Sequence, residues 1–229
     1  MTQPLVACLM PTRGRLHLLP RAIRSFRQQT YPHRLLILLN NSGIPEEDAM
    51  LRERYACDCI QVCASIYGRF HGYYMNRCCE LAQDAGATIA AVFDDDDWSH
   101  PERLAEQVAM LGSTGRHCVG YRQGLFWIED QATAWMYTNG LQSYCLGNTM
   151  CFLLEIWKRE KFRDLKRGAD WEWQRQVDSF GFVAPEPRFV AGVHAGNQEH
   201  YPVEQHARVS PNWRRAEEWD EMCRMEMAL

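Results

Sequence analysis

The sequence predicts an α/β protein built on a mostly parallel, doubly wound sheet, and three features predict it. Apolar runs of strand length recur through roughly the first hundred residues. Stretches with helical apolar spacing separate them. Turn residues close the runs in order, which marks βαβ units and hence parallel pairing with right-handed crossovers.

The first element is Leu5 to Met10, a buried strand stopped by Pro11-Thr-Arg-Gly. From Leu18 to Gln29, the residues Leu19, Ala22, Ile23 and Phe26 fall at helical spacing. Leu35 to Leu39 is a second strand, closed by the turn signal Asn40-Asn-Ser-Gly43. Pro45 to Tyr55 reads as a charged surface helix, and Ile60 to Ala64 as a third strand. A Gly-rich aromatic stretch, Tyr67 to Tyr74, leads into a helix over Met75 to Ala85. Thr88 to Phe93 is the fourth strand, followed after an acidic run by a helix over Glu102 to Leu111.

The second half is less regular. Strands are expected at 118–121, 124–128, 150–154 and 188–194, and a helix at Asp170 to Ser179. The tail, 211–229, is expected to be a helix with an apolar stripe at Trp213, Ala216, Trp219 and Met222 or Cys223. That divides the chain into one unit, 1–210, with a regular part near 1–111 and a less regular part near 112–210, and the helix 211–229.

Composition excludes several classes. The chain has 229 residues and a net charge of −4, with its basic residues scattered, so composition gives no support for a duplex nucleic-acid binder. No apolar stretch approaches the ~20 residues that span a bilayer, and the N-terminus does not read as a signal peptide. The ten cysteines include no CxxC pair in a chain long enough to build a core, so reduced, buried thiols in a cytoplasmic protein are expected.

The chemistry-bearing feature is Asp94-Asp-Asp-Asp97 at the carboxyl end of the fourth strand, where doubly wound sheets bind ligands. Like charges so close repel unless a cation neutralises them. Hard divalent ions prefer carboxylate oxygens and bridge them to substrate phosphates, which favours Mn2+ or Mg2+ here. An acidic helix N-cap is the bland rival.

Three segments carry a resemblance: Val6-Ala-Cys-Leu-Met-Pro-Thr-Arg-Gly-Arg15, Ala22-Ile-Arg-Ser-Phe-Arg-Gln-Gln-Thr-Tyr-Pro32 and Phe93-Asp-Asp-Asp-Asp-Trp-Ser-His-Pro-Glu-Arg-Leu104. With Gly168-Ala-Asp-Trp-Glu-Trp-Gln-Arg175 and Val193-His-Ala-Gly-Asn197, they resemble a family 2 glycosyltransferase. The resemblance implies a GT-A fold with a nucleotide-binding part near 1–111 and an acceptor-binding part near 112–210, a metal-dependent inverting transfer from a nucleotide-sugar donor, and Mn2+ or Mg2+ as cofactor.

It also implies roles. Pro11, Thr12 and Arg13 would flank the base and ribose. The Asp-x-Asp (DXD) motif maps to Asp94 and Asp96, with Asp96 a direct metal ligand and Asp94 or Asp95 nearer the ribose. Asp170 would be the catalytic base and His194 a metal or diphosphate ligand. Glu172 is the reserve base, on a side of the helix that points away from Asp170. Trp171 and Trp173 would line the acceptor cleft or pack in the core. His194, His200 and His206 recur every six residues, a period no regular structure puts on one face, so no zinc site is expected.

The chain departs from the family pattern in two places. The second strand ends in Asn40-Asn41 rather than an aspartate, so Asn41 is the candidate for the base. Met75-Asn76-Arg77 stands where relatives read Arg-Asn, leaving Asn76 as a donor contact and Arg69 or Arg77 as a substitute cation. The donor's base and sugar stay open. So does the acceptor, whether glycan, protein, small molecule or modified nucleobase. The tail helix is expected to dock on its own domain or on a second subunit, making a homodimer. A sugar nucleotidyltransferase and a non-catalytic binding module are the alternatives; the first would want a basic loop for a triphosphate, of which Pro11-Thr-Arg-Gly-Arg15 is a faint echo.

Overall fold

A computed structural model of the protein describes residues 3–195 and 203–228. The first half runs β1 (Val6–Thr12), α1 (Leu19–Arg27), β2 (Arg34–Asn40), α2 (Pro45–Tyr55), β3 (Ile60–Ala64), α3 (His71–Asp84), β4 (Ile89–Val92), β5 (Trp98–Ser99) and α4 (Arg103–Thr114). Then come β6 (Cys118–Tyr121), β7 (Gln123–Ile128), β8 (Thr133–Thr138), a 3-10 turn (Gly147–Thr149), β9 (Cys151–Leu153), α5 (Leu154–Arg159) and α6 (Ala169–Gln174). The chain finishes with β10 (Ser179–Phe182), β11 (Phe189–Val193), α7 (Val203–Val209), β12 (Trp213–Arg215), a second 3-10 turn (Glu217–Trp219) and α8 (Asp220–Glu226).

The main sheet has seven strands in the order β10-β6-β9-β4-β1-β2-β3. Strands β4, β1, β2 and β3 are parallel, as the βαβ reading requires. β9 is antiparallel to both β4 and β6, so the sheet is mixed at that point. Alternation along β1 explains the two layers of helices. Val6, Cys8 and Met10 pack with Leu19, Ile23 and Phe26 of α1, Leu51 of α2 and Leu104 of α4. Ala7 and Leu9 pack on the other face with Met75 and Cys78 of α3, Trp157 of α5 and Trp173 of α6. The chain goes one way from β1 to β2 and β3 and the other way to β4, which makes the carboxyl ends of β1 and β4 a topological switch point.

Pro11 does not stop the first strand. β1 continues to Thr12, pairing Pro11 with Leu39 and Thr12 with Asn40. Leu9 accepts the Phe93 N–H on the β4 side, whereas Thr12 accepts the Asn41 N–H on the β2 side. The imide nitrogen of Pro11 therefore faces the β4 side, beyond the last β4 pair at Val92, where no ladder bond is lost.

A second sheet, β12-β8-β7-β11-β5, stands beside the first and is antiparallel except for β11 with β7. The division near residue 111 is not clean: β5 from the first half joins this sheet, and β6, β9 and β10 from the second half join the main one.

Two expected helices are shorter than the sequence suggests. α6 ends at Gln174, and Ser179–Phe182 leaves the helix to extend the main sheet beside β6. The tail is not one helix over 211–229. Trp213–Arg215 pairs with β8 instead, and the Asp220 carboxylate accepts the Ala134 N–H at 2.8 Å and the Arg215 guanidinium. Only Asp220–Glu226 is α-helical. The anticipated apolar stripe still buries Trp213, Ala216 and Cys223, with Ala216 and Cys223 against Trp98, Leu125 and Val190 of the chain's own second sheet.

All ten cysteines are free thiols, and seven of them are buried. Among the described residues no helix is long and apolar enough to cross a membrane.

Candidate functional site

The acidic run is held from beneath by a buried arginine. Arg103, fully inaccessible, donates to Val92 O at 2.6 Å, Asn148 O at 3.1 Å and Ser99 Oγ at 2.7 Å, with its guanidinium carbon 4.4 Å from the Phe93 ring centroid. These bonds pin the end of β4 to the 3-10 turn and to β5. The chain then turns through four carboxylates that point in different directions.

Asp97 points inward: it accepts the Gly192 N–H at 3.0 Å and the Asn148 amide at 3.2 Å, and so ties the loop to β11. Gly192 has to be glycine, because a Cβ there would sit 2.6 Å from Asp96 O. Asp95 accepts the Thr12 hydroxyl at 2.6 Å and pairs with Arg15. Asp96 pairs with Arg15 as well, and its Oδ2 lies 3.1 Å from His194 Nε2. Behind them the buried Arg21 donates to Asp96 O at 2.5 Å, Met227 O at 2.7 Å and Glu129 Oε1 at 2.9 Å.

The electrostatics match this crowding. Asp94 sits deep in a cleft although its side chain is partly open, and desolvation followed by the charge of Asp96 pushes its carboxyl up to about 7. Burial pushes Asp95 up to about 7 as well, against the pull of Arg15. Asp97 is also raised well above the usual carboxylate range, by burial and then by Asp96 and Asp94. The four carboxylates are thus a site short of positive charge, which Arg15 alone does not supply.

Two cavities meet at this tip. One, of about 610 Å³, is lined by Pro11, Thr12, Arg13 and Arg15, by Asn41, and by Asp94 and Asp96. The Asn41 Oδ1 is buried there without a hydrogen-bond partner among the described residues. The other, of about 420 Å³, is lined by Asp170 and by the aromatic side chains Phe126, Tyr137, Tyr144 and Trp213. His71, Asp94, Phe126, Asn148, Lys166 and Arg167 border both.

Asp170 reaches its place because position 147 is glycine: a Cβ at Gly147 would overlap the Asp170 carboxylate. The charge of Asp170 also contributes to raising Asp94, across the junction of the two cavities. Glu172 faces elsewhere, with its Oε1 3.2 Å from Arg163 Nε, and borders neither cavity.

The remaining candidates divide between the cavities and the core. Asn76 borders neither cavity: its amide donates to Phe162 O at 2.8 Å and accepts from Trp157 Nε1 at 2.9 Å and Phe162 N at 3.0 Å, which ties α3 to α5. Of the two substitute cations, Arg69 borders the larger cavity and Arg77 pairs with Glu80 outside it. Trp173 is a core residue stacked on Phe162, and Trp171 lines a different cavity from Asp170. Asn197 and His200 lie outside the described residues. Sequence reasoning missed Arg15, His71, Lys166 and Arg167. Arg15 alone left a signal, as the second basic residue of the Arg-Gly-Arg loop that already carried a candidate.

A divalent cation fits this donor set. Asp96 and His194 offer a carboxylate oxygen and an imidazole nitrogen on one point, and among the described residues no group of three or more His, Cys, Asp or Glu side chains converges as a closed metal cage. Few protein ligands completed by phosphate oxygens and water is the usual arrangement for a cation that arrives with a nucleotide. Arg15, being committed to Asp95 and Asp96, is not a free triphosphate cradle.

Comparison with known proteins agrees with the fold. The sequence model of Glycosyl transferase family 2 matches residues 7–168. No curated protein sequence matches the chain. Among solved structures, it is similar to a mannosyltransferase from Pyrobaculum calidifontis in complex with GDP-Man and Mn2+, with a TM-score of 0.65 and 16% identity over 90% of this chain and 62% of that one. S. aureus TarS 1-349 in complex with UDP-GlcNAc gives 0.64 and 13% over 90% and 64%, and its complex with UDP gives 0.61 and 13% over 82% and 60%. The chain therefore spans less than two thirds of the length of these neighbours, and the likeness is one of fold.

Proposed function

The chain belongs to glycosyl transferase family 2, and from that premise we propose that it is a metal-dependent, inverting glycosyltransferase that moves a sugar from a nucleoside diphosphate donor to an acceptor hydroxyl. The observation that carries this reading is the junction of the two cavities at the acidic tip, with Asp96 and His194 on one side and Asp170 on the other.

The larger cavity is assigned to the donor. Pro11, Thr12, Arg13 and Asn41 flank the base and ribose, and the unpartnered Asn41 Oδ1 offers an acceptor that a base N–H or ribose hydroxyl would satisfy. Of Asp94 and Asp95, Asp94 borders this space and is placed nearer the ribose, with Asp96 nearer the diphosphate, while Asp95 is buried against Thr12 and Arg15. Asp96 and His194 would hold Mn2+ or Mg2+, which when bound supplies Lewis-acid stabilisation of the charge that develops on the leaving diphosphate. Lys166 and Arg167, on the loop before α6, border the same space and add positive charge there.

The smaller cavity is assigned to the acceptor. An acceptor hydroxyl is a poor nucleophile, so a carboxylate has to take its proton as the new glycosidic bond forms. Asp170 is that base, held by the close fit against Gly147. Attack from the Asp170 side on a donor sugar seated at Asp94 displaces the diphosphate in line, which inverts the anomeric centre. Nucleotide bases and sugars of both neighbour types remain candidates, UDP-GlcNAc and GDP-Man being the donors bound by the structural neighbours.

The experiment is a titration of UDP, GDP and their sugar conjugates into the protein with and without Mn2+, followed by detection of released nucleoside diphosphate. Binding that requires Mn2+ and release of diphosphate support the reading. Release of pyrophosphate from a nucleoside triphosphate would instead make it a nucleotidyltransferase.

A further inference from the structure

A third cavity, of about 590 Å³, lies next to the proposed acceptor cleft, and the transfer just described does not use it. Tyr144 borders both spaces and is the partition between them. Asp170 and Trp171 are consecutive on α6, yet Asp170 faces the cleft and Trp171 faces the third cavity.

Trp171 is half exposed, an unusual state for a large indole, and the Arg175 guanidinium sits 4.7 Å from its ring centroid. Leu141, also largely exposed, stands on the same rim. In the wall, Ser179 is buried and its Oγ has no hydrogen-bond partner among the described residues. A buried hydroxyl left in that state is satisfied when a ligand brings a donor or acceptor to it. Of the two arginines bordering the space, Arg116 is paired with Asp178 and Arg175 is laid over the Trp171 ring.

We propose that this cavity is a distal acceptor subsite, which holds saccharide residues of an oligosaccharide whose reacting end lies at Asp170. The proposal rests on the glycosyl-transfer reading above. A sugar ring offers an apolar face and a rim of hydroxyls, and here an aromatic face stands with a buried, unsatisfied hydroxyl and an exposed amide at Gln142. Because the two cavities share Tyr144 as a wall, an acceptor that occupies both is an extended chain rather than a single sugar. The acceptor class is therefore an oligosaccharide or a glycan of comparable length.

The test titrates a panel of defined di- to hexasaccharides into the full chain held with Mn2+ and UDP, for wild type, Trp171→Ala and Trp171→Phe. Longer members of the panel should bind wild type, bind Trp171→Ala roughly tenfold more weakly (about 1.4 kcal/mol), and be largely restored by Trp171→Phe. Disaccharide affinity and UDP–Mn2+ affinity should not change. Oligosaccharide binding indifferent to Trp171, or no binding by any member while UDP–Mn2+ binds, would overturn the subsite. If UDP and GDP fail to bind but oligosaccharide binding still depends on Trp171, the donor reading falls and the carbohydrate subsite stands.

Discussion

His194 Nε2 stands 3.1 Å from Asp96 Oδ2, although the two residues are 98 positions apart. The contact joins the end of β11 to the tip after β4, and it exists because Asp97 and Gly192 lock those two segments together beside it.

If that pair holds the cation, Asp96→Ala should abolish the Mn2+ dependence of UDP or GDP binding, and His194→Ala should weaken it by roughly tenfold or more. Calorimetry with and without Mn2+ measures both. Unaltered affinity in Asp96→Ala would remove the metal assignment.

Asp170→Asn should retain nucleotide binding and lose transfer by about 100- to 10,000-fold. Glu172→Gln should stay near wild type, because Glu172 is turned toward Arg163. Steady-state rates with saturating donor separate the two carboxylates, and normal turnover by Asp170→Asn would pass the role to Glu172.

Gly147→Ala tests the same base through its support. The added methyl overlaps the Asp170 carboxylate and must displace it. Transfer should fall steeply, with an overpacking cost of about 1–3 kcal/mol in stability, while Mn2+-dependent nucleotide binding persists. A variant with both loss of stability and full activity would mean that the position of Asp170 is not critical.

The acidic tip also predicts a pH dependence. The Asp94 carboxyl is held at about 7 in the fold, against about 3.9 in an unfolded chain. A group raised in this way contributes stability that is full below the unfolded value and is lost as pH climbs through the folded one. In the ligand-free protein, Asp94→Asn should match wild type near about pH 4 and exceed it increasingly toward about pH 8, since an amide does not ionise. Melting temperatures across that range check this; a constant difference would contradict it.

Much of this was legible in the sequence, and the exceptions have physical causes. Strands β1, β2 and β4 declared themselves because both of their faces are covered, so each reads as an apolar run, whereas β3 at the sheet edge buries Ile60 and Val62 and exposes Gln61. β8, Thr133–Thr138, mixes threonines with aromatics because it is only half covered, and nothing local marks it as a strand. β10 and β12 depend on distant partners, β6 and β8; local spacing favours a helix in place of β12 and marks no strand at β10. At the site, Asp94 and Asp96 stood out by residue type and position, and Asp170 through the family resemblance. The packing of Asn76 was not legible, because sequence does not reveal where an amide spends its hydrogen bonds. His71, Lys166 and Arg167 left no local signal, since the fold alone brings their segments to one cavity.

Arg21 reaches from α1 to the main-chain oxygens of both Asp96 and Met227. One guanidinium is thus a strut between the cation loop and the end of α8, and any load on that helix is passed to the loop. An affinity tag or fusion partner attached behind α8 would pull on this strut and blur measurements of metal binding. Attached ahead of β1, whose opposite end carries the site, the same tag would leave it undisturbed.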